Sequence, residues 1–222
     1  MINRRNFIFG SATLFALTRG SRTHAAIASS PRATATAIPG RIPNIYLLGV
    51  GGAGCEMVEH VWRERVPGID RSLLIGRSTD ERQLDLRLSS GIDRTLSATD
   101  LGSVRSATNG ATLVLLIAGL GGKTGTQIAP IVARVGLGAG ATVVALLIEP
   151  FRFEGRRCAI AARAVPFIAR YTTRTIRFSN DELTQRLGWD STMTSIYTQM
   201  KDDVVMQVRD VIRQSAASAI AT

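Results

Sequence analysis

Residues 46–58 read YLLGVGGAGCEMV, an apolar run that breaks into glycines and then resumes as a helix-like pattern leading to His60. Glycines allow a tight turn, and they let backbone N–H groups approach an anion at the start of a helix. Gly49-Val50-Gly51-Gly52-Ala53-Gly54 has the G-x-G-x-x-G spacing of a dinucleotide cradle, with Asp70 or Asp80 as ribose partner. It equally fits a strand-to-helix turn that holds nothing.

A second glycine loop follows the apolar run 111–118: Gly119-Leu120-Gly121-Gly122-Lys123-Thr124-Gly125-Thr126. A Walker A loop needs glycine where Ile117 stands, so that reading fails on spacing. A second phosphate cradle is left, with the Thr124 and Thr126 hydroxyls and the backbone amides as donors. A dinucleotide-dependent dehydrogenase has no use for it.

Working outward, short apolar runs predict strands at 44–50, 72–76, 111–118, 141–148 and 173–178. Helical periodicity predicts helices at 54–65, 124–136, 157–170 and 181–187. A last helix, 201–219, carries Val204, Val205, Val208, Val211 and Ile212 on one stripe. Strands separated by helices pair in parallel, which gives an α/β fold: a doubly wound, mostly parallel sheet with helices on both faces. Ligands of such sheets lie at the carboxyl ends of the strands.

Three stretches in order, 46–58, GLGGKTGTQIAP at 119–130 and EPFRFEG at 149–155, resemble the bacterial cell-division GTPase FtsZ of the tubulin superfamily. The likeness covers about 43–214, and the second loop is similar to the family's GGGTGTG signature, with Lys123 and Gln127 replacing glycines. The resemblance implies GTP or GDP as ligand, with Mg2+ as an optional companion. It implies that Gly51, Gly52, Ala53 and Gly54, with Gly121, Gly122, Lys123, Thr124, Gly125 and Thr126, hold the phosphates. Asp80 matches the acidic loop after the second strand, although the family's preceding Asn is Ser78 here. Pro150 and Glu154 match the loop at the ribose. Asn180 matches the residue that reads the base, and Asp203 the acid that takes the guanine N–H groups; an acceptor opposite those donors selects guanine over adenine.

The departures carry as much information. Glu56 replaces the family's Asn after the first loop, bringing a carboxylate toward the ligand unless a cation intervenes. Cys158 replaces an Arg, although Arg156 and Arg157 adjoin it, and the family's loop after the third strand is not recognisable between Gly91 and Gly110. The resemblance also implies that Cys55 and Cys158 border one pocket, where an oxidising compartment would join them. The family's catalytic acidic loop and second domain have no counterpart, so the expectation is a binder that does not activate itself and has no catalytic residue of its own. Self-association or an FtsZ-like partner is expected. The alternative is a non-enzymatic, exported interaction module with a vestigial pocket.

Residues 1–28 have a basic start at Arg4-Arg5, an apolar run from Phe7 to Leu17 and small residues to Ala28, the layout of an export signal similar to the twin-arginine type. The expected destination is the periplasm, against a cytoplasmic or inner-membrane-associated alternative. Residues 29–42 read as a linker and 43–222 as the domain. Of the formal net charge of +10, four charges lie in that leader. All but Lys123 and Lys201 of the 27 basic residues are Arg, a bias read as genomic composition, and nucleic acid is not expected as a partner. Arg152, Arg156, Arg157, Arg163, Arg170, Arg174 and Arg177 share a stretch whose one acid is Glu154, which raises an anionic membrane surface as a partner. With two His and two Cys, a zinc site or CxxC redox centre is not expected, and no Ser-His-Asp arrangement is legible.

Overall fold

The computed structural model describes residues 44–76, 94–97 and 101–220, all within the unit Pro31–Thr222. Leader, linker and Asp80 lie outside them. Strands β1 (Ile45–Val50), β2 (Arg71–Gly76), β3 (Arg94–Ser97), β4 (Leu113–Gly119), β5 (Thr142–Glu149) and β6 (Arg174–Ser179) form one sheet in the order β3-β2-β1-β4-β5-β6. Every pairing is parallel. β1 and the apolar centres of β4 and β5 are buried on both faces, as parallel strands covered by helices must be.

The helices are α1 (Gly51–Arg63), α2 (Leu101–Thr108), α3 (Lys123–Gly138), α4 (Arg156–Ala169), α5 (Asn180–Leu187) and α6 (Met193–Ile220). Side chains alternate across each strand. Tyr46, Leu48 and Val50 therefore enter one core layer with Val104 of α2, Ala129, Val132 and Ala133 of α3, and Ala161, Ala164 and Ile168 of α4. Ile45 and Leu47 enter the other, with Val58 and Val61 of α1, Leu183 of α5, and Met200, Val204 and Val208 of α6.

The expected strands appear with ends displaced by one or two residues. β3 and α2 were not anticipated: four residues, RTLS, carry no apolar alternation to announce a strand. α6 begins eight residues before the expected 201, because Thr192 Oγ1 accepts the Ser195 N–H at 3.1 Å and so caps the helix. Ile196 and Met200, both buried, extend the valine stripe upstream.

Candidate functional site

Chain order along the sheet reverses between β1 and β4, the point at which an open α/β sheet leaves a crevice at its carboxyl edge. Both glycine segments lie there, one after each strand. Gly51 to Gly54 are not a loop before α1 but its first turn, and Lys123 to Thr126 are the first turn of α3. Glycine is a poor helix former, and the reason it stands here is space. A β carbon on Gly54 would fall 2.4 Å from the Ile117 carbonyl oxygen, and one on Gly125 2.1 Å from that of Gly119. The two turns also meet each other, since a β carbon on Gly51 would lie 2.9 Å from the Gly125 nitrogen. Ala53 fills the space over Gly119, whereas Gly52 faces open space.

Both turns leave their leading N–H groups without a side-chain cap: Val50 and Gly122 occupy the cap positions, and neither first turn contains an acid. α5 shows the ordinary arrangement, with Ser179 Oγ accepting from Glu182 N–H and two acids in the first turn. Two uncapped helix N-termini converging on one crevice suit an anion. Lys123, exposed, opens α3. Gly121, at φ +81°, is backed by Pro150 and by the β carbon and carbonyl of Arg157 of α4, whose guanidinium pairs with Glu154.

Two polar atoms near these strand ends are buried without a protein partner, Thr126 Oγ1 and Asn180 Oδ1. Asn180, 4% exposed, is anchored through its Nδ2, which donates to the Glu149 carbonyl at 2.7 Å. Its free oxygen is an acceptor, the type required to read an N–H of a base.

The acids are placed differently from the sequence expectation. Glu154 is spent on its own turn: Oε1 accepts the Phe151 N–H at 2.9 Å, and Oε2 pairs with Arg157. Asp203 is doubly engaged, by Arg186 and by Gln199 Nε2 at 2.9 Å. It lies ten residues into α6, on the wall of a groove of about 480 Å3 whose lining, from β6, α5 and α6, includes none of the glycine segments. Glu56 meets the anticipated cation, Lys201 Nζ, at 2.7 Å. Lys201 and Arg186 therefore hold the carboxylates of Glu56 and Asp203, and no local signal singled out either.

Cys55 and Cys158 are not bridged. Cys55 is buried in the α1 layer with Sγ 3.5 Å from the Gly49 carbonyl, whereas Cys158 starts α4, across the sheet, and donates to the Phe151 carbonyl at 3.0 Å. Among the described residues no group of three or more His, Cys, Asp or Glu side chains is placed to hold a metal ion.

No family model matches the chain. Similar curated proteins are the cell division protein FtsZ of Azotobacter vinelandii, 30% identical over 77% of this chain and 48% of the relative, and that of Buchnera aphidicola, 32% identical over 65% and 42%. Among solved structures, an FtsZ dimer from M. jannaschii superposes with a TM-score of 0.67 at 22% identity, over 77% of this chain and 54% of that one. The chain belongs to the FtsZ/tubulin superfamily. CetZ from Methanosaeta thermophila shares the fold at a TM-score of 0.62 and 19% identity, over 77% and 54%. The chain spans about half the length of the curated FtsZ relatives it matches. What the superfamily frame explains is the pairing of two glycine turns at one switch point, in an FtsZ-type domain.

Proposed function

We propose that this FtsZ-like domain binds a guanine nucleotide, GTP or GDP, at the switch point between β1 and β4. The observation that carries the reading is the backbone contact between the two uncapped helix starts at Gly51 and Gly125. The amides of the α1 and α3 first turns would hold the phosphates, Thr126 Oγ1 would donate to them, and Lys123 would offset their charge. Asn180 Oδ1 would accept from the base. Mg2+, where present, would be held chiefly by phosphate oxygens and water, as small hard cations prefer.

The reading is of binding and not of independent hydrolysis. Glu56, Glu154 and Asp203 are each held by a cation, so none stands as a free base. An FtsZ-like partner carrying its own catalytic loop would have to supply what hydrolysis needs, which a second copy of this chain would not. The Arg4-Arg5 leader favours export of the folded chain, and a periplasmic destination would require the nucleotide to travel with its passenger. Nucleotide released by denaturing natively purified protein, identified by chromatography, tests the assignment: GTP or GDP supports it, NAD redirects it to a dinucleotide site, and release of neither refutes it.

A further inference from the structure

α4 covers the sheet with Ala161, Ala164 and Ile168, and its opposite face has an unusual composition. Arg156, Ile160, Arg163, Phe167 and Arg170 follow one another at intervals of four, three, four and three residues, so they form a single stripe along the helix. All five are exposed, Phe167 by 57%. Between them stand Ala159, Ala162 and Pro166, also exposed, and α4 contains no acid. Arg156, Arg163 and Arg170 make no ion pair with any described residue. A solvated helix face normally mixes charges of both signs with neutral polar groups. This one offers guanidinium groups and bare carbon only, and Phe153, 76% exposed, extends the apolar part beyond the helix start.

We propose that this face of α4 docks flat on an anionic lipid bilayer. Phe167 and Ile160 would enter the boundary between headgroups and acyl chains. The arginine stems would lie along that apolar surface while their charged ends reach lipid phosphates. Charge complementarity selects this occupant over a second copy, because two such faces would set arginine against arginine. On the export reading, a leader with Arg4-Arg5 followed by an apolar run would also bring the chain to a membrane. No helix among the described residues is long and apolar enough to cross a membrane.

Co-sedimentation of the full chain with vesicles of equal parts phosphatidylglycerol and phosphatidylcholine tests the proposal, with pure phosphatidylcholine as reference. Each Arg near an anionic surface is worth about a fivefold change in partition (about 1 kcal/mol), so Arg163→Glu with Arg170→Glu should lower binding by about 25-fold or more. Phe167→Ser should lower it by about tenfold. Arg213→Glu on α6 controls for net charge and should change it much less. Should the double variant not fold, Phe167→Ser and Arg163→Gln answer the same question. Equal binding to both vesicle types, unchanged binding of the α4 variants, or an equal loss with Arg213→Glu would overturn the proposal. So would retention on a polyaspartate matrix without vesicle binding, which assigns the face to an acidic protein.

Discussion

Gly51 and Gly125 touch through their backbones: a β carbon on Gly51 would lie 2.9 Å from the Gly125 nitrogen, and Gly51 holds a φ of +75°. Any side chain at Gly51 meets both the contact and the left-handed backbone, which alone costs about 1–2 kcal/mol. Gly51→Ala is expected to lower stability by at least that much and to abolish nucleotide retention. Gly52→Ala, with open space at the same turn, should change stability by no more than about 0.5 kcal/mol. Thermal melts of the pair check this, and equal behaviour would remove the close approach as the reason for the glycines.

Arg186 and Gln199 occupy the Asp203 carboxylate. If Asp203 reads guanine, it must exchange these partners. Arg186→Ala should then raise the ratio of GTP to ATP affinity, and Asp203→Ala should collapse it. Competition binding with both nucleotides measures the ratios. No change in either variant leaves base reading to Asn180. The exposed pair itself is worth about 0.2–1 kcal/mol, so neither variant should unfold the domain.

Lys201 neutralises Glu56 one turn from the proposed phosphates. Lys201→Met should weaken nucleotide binding, most at low salt, because an unpaired carboxylate repels phosphate there. Adding Glu56→Asn should restore affinity. Failure of that rescue would show that Lys201 acts through packing.

Met200 is 1% exposed in the layer that joins α1 to α6. Met200→Ala should cost about 2–5 kcal/mol in a single transition by denaturant unfolding. A separate early transition would mean that α6 docks on the sheet without sharing its cooperativity.

Arg177 titrates above the ordinary arginine range, chiefly because Glu149 accepts its hydrogen bond, with the Glu149 charge adding to the effect and burial opposing it. A cation whose folded pKa is raised contributes fully below its unfolded value and loses that contribution as pH rises through the folded one. The Arg177 contribution is therefore expected to stay constant from neutral pH to about pH 11, below the reference arginine value. Melts of Arg177→Gln against the parent chain should show a constant difference across that range, and a difference that shrinks by pH 9 would contradict it.

Both glycine segments were legible because their constraint is local: a strand ending in glycines beside a helical pattern has few backbone solutions. β1, β4 and β5 were legible because parallel central strands are apolar throughout. β3 and the early start of α6 were not. A four-residue edge strand needs no apolar pattern, and the α6 start rests on one Thr192 hydroxyl and two side chains that meet distant strands.

The charges divide in the same way. The run of residue types by itself determined the α/β order, the two anion-suited turns and an arginine-rich α4. Only the tertiary structure decided that Glu56 is neutralised by Lys201, that Asp203 is held by Arg186, and that Cys55 and Cys158 are not bridged. Covalent neighbours fix backbone geometry over a few residues, whereas an ion pair depends on which helices the sheet carries side by side.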